Sequence, residues 1–187
     1  MEDVYKICPV YKNEYITFRQ TIMEDSKDLL RCYSDEKAVP LFNSDNCHGD
    51  DFYYNTLEKM KKAIGFWKFS YENRYFVRWT IILNSTNEII GTIEMFHRTA
   101  EDEFNHYGVL RIDLDSKHEN QKIIDAILEI VNDNFYNLFD VNVILTKAIP
   151  QAKDRILSLT KKGYVPLGKK FIVYDDYFLR VVNYLQK

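Results

Sequence analysis

No run of Lys or Arg longer than two residues occurs anywhere in this 187-residue chain, and its formal charge is -3. A nucleic-acid partner needs a concentrated basic face, so the sequence argues against one. Cysteine is scarce: Cys8, Cys32 and Cys47 are an odd number at irregular spacing with no Cys-x-x-Cys pair, which offers neither a disulfide framework nor a zinc site and implies a reducing cytoplasm. No apolar stretch approaches the length of a membrane span, and the first residues, with Glu2 and Asp3, do not read as a signal peptide. No internal repeat is evident. Hydrophobic residues make up 46% and charged residues 28%, a balance that buries a core in one ordinary domain. The expected division is an N-terminal extension over 1–14 and a single domain over 15–187. The 14 Tyr and 12 Phe are enough for a ring-rich core or a lined pocket.

Periodicity orders the elements. Residues 15–19 alternate as a short strand, and Thr21-x-x-Glu24 has the form of a capping box, predicting a helix that carries Leu29, Leu30 and Tyr33 and ends near Ser34. Residues 38–51 are polar and irregular, a loop placed to cover a substrate site. Tyr53, Leu57, Met60, Ile64, Trp67 and Tyr71 recur at steps of four and three, predicting a helix over 52–71. Two β-rich runs, 75–83 and 88–96, flank Asn84-Ser85-Thr86-Asn87 and form a hairpin. A strand over 107–115 puts Leu110, Ile112 and Leu114 on one face and Arg111 and Asp113 on the other. A helix over 120–138 and a strand over 141–145 complete a strand-helix-strand unit, whose ligands bind at the carboxyl end of the first strand. Pro150 opens a helix to Lys162, Gly163 closes it, and residues 171–174 and 177–182 end the chain as β-structure.

Several pieces, in this order, carry a likeness: Ile16-Thr17-Phe18-Arg19 followed by Met23-Glu24-Asp25, then Glu88-Ile89-Ile90-Gly91-Thr92-Ile93, then Leu159-Thr160-Lys161-Lys162-Gly163-Tyr164-Val165-Pro166-Leu167, and Asp175-Asp176-Tyr177-Phe178-Leu179. Over about residues 15–182 the chain resembles the GNAT superfamily of N-acetyltransferases, in particular the branch that acetylates ribosomal-protein amino termini. The resemblance implies an α/β (α+β) fold with a mixed twisted sheet of six or seven strands flanked by helices. It also implies acetyl-CoA as co-substrate, no metal, and an amine acceptor, in a cytoplasmic monomer or homodimer.

In that family a splayed pair of parallel strands holds the pantetheine arm and a helix amino terminus holds the pyrophosphate. Unpaired N–H groups and the helix dipole make such a terminus an anion site. The resemblance therefore marks Ile112 and Leu114 on the strand, Lys117, His118, Asn120, Gln121, Lys122 and Ile123 around the helix start, and Arg155 on the next helix as coenzyme-binding residues. The family's loop reads Arg/Gln-x-x-Gly-x-Gly/Ala, whereas here it is His118-Glu119-Asn120-Gln121-Lys122-Ile123 with no glycine. Ala152 and Arg155 stand where the family often has Asn-x-x-Ser.

Two consequences stay open: the backbone still presents its amides and Lys117, His118 and Lys122 supply positive charge, or the side chains close the loop and leave a catalytically silent module that binds a ligand or a protein. For proton transfer the candidates are Glu94, first choice as base, with His97, His106 and Tyr107; each competes with an ordinary structural role. Tyr164, nearest the second coenzyme helix, is a weak candidate for protonating the thiolate. Asn46-Cys47-His48-Gly49-Asp50-Asp51 gathers metal-ligand types, but its spacing reads as a loop. The Tyr/Trp stripe of 53–71 lines an acceptor groove or packs the core. The acidic stretches at 25–28 and 101–103 attract a cationic acceptor or are simply solvated.

Overall fold

The computed structural model describes residues 3–182. One sheet of eight strands runs through it: β1 (Tyr11–Lys12), β2 (Ile16–Gln20), β3 (Val77–Leu83), β4 (Glu88–His97), β5 (Gly108–Leu114), β6 (Val143–Lys147), β7 (Val165–Pro166) and β8 (Tyr177–Val181), in the order β1-β2-β3-β4-β5-β6-β8-β7. Every neighbouring pair is antiparallel except β5 and β6. The sheet is mixed and flanked by four helices, α1 (Ser26–Tyr33), α2 (Leu57–Glu72), α3 (Gln121–Leu138) and α4 (Lys153–Lys161).

Strand alternation divides the burial between the two faces. Val77, Trp79, Ile81, Ile93, Met95, Leu110, Ile112 and Leu114 pack with Ile124, Ile127, Val131 and Phe135 of α3 into the main core. On the other face Leu29, Cys32 and Tyr33 of α1 meet Met60, Ile64 and Trp67 of α2 in a second cluster. Residues before the first full strand are tied in as well. Val4 is buried in the main core, Trp79 Nε1 donates to the Pro9 carbonyl, and Arg74 pairs with Asp3 at 2.8 Å.

The hairpin and the crossover helix lie where the sequence puts them. Asn120 caps α3 by accepting from the Ile123 N–H at 3.2 Å, and Gly163 takes φ 86° after α4.

Several elements differ from expectation: β3 and β6 each begin two residues later, and β1 and β7 add short edge strands. The Thr21–Glu24 capping box is not made: Thr21 Oγ1 pairs with Thr80 Oγ1, and Asp25 caps the turn by accepting from the Ile22 N–H. Helix α2 starts at Leu57, because Thr56 accepts from the Lys59 N–H. The preceding residues stay out of the helix: Phe52 has φ 62° and the Tyr54 N–H donates to the Tyr33 carbonyl. Helix α4 begins at Lys153 rather than Pro150, and residues 171–174 make one bridge, Phe171 to Tyr174, instead of a strand.

Candidate functional site

Polar side chains of β3, β4 and β5 gather under α1 and α2 into one buried network. Arg78 is at its centre. It donates to Glu94 Oε2 through Nε and Nη2 (3.0 and 2.6 Å), and its Nη1 donates to Asp113 Oδ2, Thr92 Oγ1 and the Tyr33 hydroxyl. Arg111 Nη1 donates to the other Glu94 oxygen at 2.7 Å. Burial alone would raise the Glu94 carboxyl, but the two guanidinium groups outweigh it and hold the group below the usual carboxylate range. Burial pushes the Asp113 carboxyl up, with Arg78 offsetting this only in part. Glu94 is therefore an ionised group with both oxygens occupied, an arrangement suited to holding Arg78 and Arg111 in place.

The parallel pair opens just beyond Arg111. Strands β5 and β6 are paired at Gly108, Val109 and Leu110 and at no later residue of β5. The Asp115 N–H donates to the Ile90 carbonyl of β4. Alternation along the strand then turns the backbone groups of Leu114 and Ile112 to the opposite edge, into the opening. Their side chains point into the main core, so what these two predicted residues offer a ligand is backbone.

The α1–α2 loop crosses this opening. Arg111 Nη2 donates to the Asp45 carbonyl (3.1 Å), Lys147 Nζ donates to Asp45 Oδ1 (2.7 Å), and the Tyr177 hydroxyl donates to Asp45 Oδ2 (3.1 Å). Asn43 donates to the Tyr177 hydroxyl at 3.0 Å. Asn43 and Asp45 are buried, although the sequence shows them only as part of a polar loop. Their partners lie about 70 to 130 positions away, and no local pattern announces such contacts.

At the start of α3 much of the hydrogen-bonding capacity is already used. The Ser116 N–H donates to Asp35, the His118 N–H to Asp115, the Asn120 N–H to the His118 carbonyl, and the Ile123 N–H to the Asn120 side chain. The first-turn N–H groups of Gln121 and Lys122 have no protein acceptor among the described residues. His118 Nδ1 lies 2.7 Å from Asp115, and Lys122 Nζ sits 4.4 Å from the Tyr15 ring centroid. Lys117 is exposed. Arg155 is buried and forks onto Glu119 at 2.8 and 2.7 Å, with Nη1 donating to the Leu41 carbonyl. Its guanidinium thus neutralises a carboxylate of the chain itself at the helix start.

Of the four residues named for proton transfer, only His97 and His106 meet. Glu94 is on the α1–α2 face. His97 is on the opposite face, its Nδ1–H donating to the Phe139 carbonyl (2.9 Å) while Nε2 lies 2.8 Å from Nδ1 of exposed His106. Tyr107 packs with Phe104, ring centroids 5.9 Å apart, at the other end of β5 from the opening. Tyr164 is buried and donates to Asn132. In the Asn46–Asp51 loop Cys47 reaches the Asp45 carbonyl, and burial raises its thiol. Among the described residues no group of three or more His, Cys, Asp or Glu side chains gathers as a metal site. Nor is any helix there long and apolar enough to cross a membrane.

Beside the opening lies a cavity of about 260 Å³, floored by Arg78, Glu94 and Arg111 and walled by aromatic rings of α2, β4 and the loop before α2.

A mixed sheet opening at its one parallel pair, with a helix amino terminus over the opening, defines the GNAT acetyltransferase fold. Solved structures that share it with this chain include the ribosomal-protein-S5-alanine acetyltransferase from Vibrio fischeri, at 16% identity and a TM-score of 0.71, over 96% of this chain and 100% of that one. RimJ of Mycobacterium smegmatis, in complex with CoA-disulfide, matches at 14% identity and a TM-score of 0.75, covering 95% of this chain and 89% of that one. RimL, a ribosomal L7/L12 alpha-N-protein acetyltransferase in complex with coenzyme A, matches at 12% and 0.67, covering 93% and 98%. No family model and no curated protein matches the sequence.

Proposed function

We propose that this protein is an N-acetyltransferase, moving an acetyl group from acetyl-CoA to a primary amine that is either a protein amino terminus or a small amine. The observation that carries this reading is the backbone edge of Ile112 and Leu114 turned into the β5–β6 opening, below the unpaired N–H groups of Gln121 and Lys122. The edge suits the amide groups of a pantetheine arm, and the helix start suits a pyrophosphate. Coenzyme-bound RimJ and RimL share the fold.

In the transfer the amine nitrogen attacks the thioester carbonyl carbon. A C–N bond forms, the C–S bond breaks, and the thiolate leaves; the proton lost by nitrogen passes to solvent and the thiolate takes one up. Glu94, with both oxygens held by Arg78 and Arg111, fixes the cavity floor and takes no part in proton transfer; water accepts the proton. Arg111, held by Glu94, lines the cavity and follows the last residue of β5 paired with β6, which supports acceptor and thioester meeting beside it.

A second reading, a silent module with this fold, is favoured by the Arg155–Glu119 pair and by the loop across the opening. Calorimetric titration with acetyl-CoA and with coenzyme A, on the wild type and a Lys122→Glu variant, separates the two. The transferase reading expects micromolar binding that weakens in the variant. Absence of binding at millimolar coenzyme overturns it and leaves the silent module.

A further inference from the structure

Resting on the transferase reading, we infer that the accepting amine is carried on a bulky apolar body, aromatic by preference. The cavity beside the opening, about 260 Å³, is at the small end for ligand sites and suits a compact group. Its walls are rings. The Arg78 guanidinium lies beneath three of them, 4.2 Å from the Trp67 centroid, 5.5 Å from Phe52 and 6.0 Å from Phe76. Around the mouth the rings continue into solvent. Phe66 pairs with Phe76 and Phe69 with Tyr75, yet Phe66, Phe69 and Tyr75 are 58%, 50% and 59% exposed. Exposed rings contiguous with a ring-walled cavity mark a surface that an apolar ligand covers.

Charge selects the other end of the ligand. The segment from Asn43 to Asp51 holds Asp45, Asp50 and Asp51 and no Lys or Arg. Of these Asp50 lines the cavity, with Asn46 and His48. The arginines of the floor are matched by Glu94, Asp113 and the Asp45 carbonyl. Asp45 is paired with Lys147, so the carboxylate left at the rim is Asp50, and it is this group that an approaching ammonium meets. Arg111 joins the two parts, lining the cavity and standing where β5 leaves β6. A small polar amine would leave the rings wet and unused.

The shared chemistry, a cationic nitrogen a few bonds from an aromatic group, occurs in free arylalkylamines and in peptides that begin with Phe or Trp. The test compares acetylation of 2-phenylethylamine and tryptamine with that of ethanolamine, and of Phe-led with Ala-led peptides, at fixed acetyl-CoA. Calorimetry of each amine without coenzyme runs alongside. The aromatic acceptors should give the higher kcat/KM, and the peptide arm tells which source is used. Phe66→Ala, at a half-exposed position that leaves the core intact, should raise KM for the aromatic amine about tenfold with kcat unchanged. Equal handling of ethanolamine and 2-phenylethylamine overturns the inference, as does coenzyme binding with no aromatic preference. Aromatic amines that bind and are weakened by Phe66→Ala, in a protein that binds no coenzyme, would keep the apolar site and overturn only the transferase reading.

Discussion

Glu94 lies 2.6 Å from Arg78 Nη2 and 2.7 Å from Arg111 Nη1, all in the interior. Replacing it by Gln leaves two buried guanidinium groups short of a counter-charge. Breaking such a pair costs about 3–5 kcal/mol, so Glu94→Gln should lower the urea midpoint severely. Glu119 makes the opposite case. Its carboxylate stands beside the helix start to which the resemblance assigns a phosphate, and Arg155 serves it with two hydrogen bonds. In Glu119→Gln the guanidinium regains an unmatched charge facing the helix start. Coenzyme affinity, read by titration, should rise by about tenfold, the size of one charge-assisted contact, while stability falls. Unchanged affinity would mean that Arg155 does not face the coenzyme. The sequence had already marked Arg155 and the substitutions in the loop. That Glu119 would neutralise Arg155 was not legible, because the two are 36 positions apart and meet only through the packing of α3 on α4.

At the scale of elements, the pairing of β4 with β5 sets the geometry of the opening. Gly91 has φ 153°, and a Cβ there would come within 2.0 Å of the Asp113 carbonyl oxygen. The obstacle is backbone in a paired strand and cannot rotate away. Gly91→Ala should therefore lower the melting temperature strongly and disturb the Arg111–Asp113 edge, seen as lost hydrogen-exchange protection in β5. Helix α3 and the β3–β4 hairpin were readable because each is specified locally, by a 3.6-residue apolar stripe and by turn residues between two β-rich runs. Helix α2 shows the limit. Tyr53 continues its stripe in phase, yet the chain from Phe52 to Tyr54 is spent on contacts with Asp50 and Tyr33, and the helix waits for Thr56.

For the molecule as a whole, acid should be the weak side. Asp25 is buried against Arg19, the Ile22 N–H and Thr80. These partners outweigh the effect of burial and hold its carboxyl low, as Arg78 and Arg111 hold Glu94. Groups depressed in the folded state bind fewer protons there than in the unfolded chain. Their stabilisation is fully present above the unfolded carboxylate range, about pH 4, and is lost as pH falls through the folded values. Asp113, raised by burial, acts in the opposite sense as pH climbs through its folded value. Urea denaturation from pH 7 down to pH 3 should show stability falling below about pH 4, less steeply in Asp25→Asn. A flat profile would mean these carboxylates are not held as the structure has them.

What the sequence determined by itself was the order of the four helices and of β2 to β6 and β8, the single parallel crossover and the polar face of β5, since periodicity and turn residues act over a few positions. Tertiary structure alone decided that Asp45 and Asn43 bridge the opening, that Glu119 occupies Arg155, that His97 faces away from Glu94, and that aromatic residues from separate elements wall one cavity. Each of these depends on which face of the sheet a side chain meets and on partners tens of residues away. Contacts of that range are settled by packing the whole chain, and no local pattern encodes them.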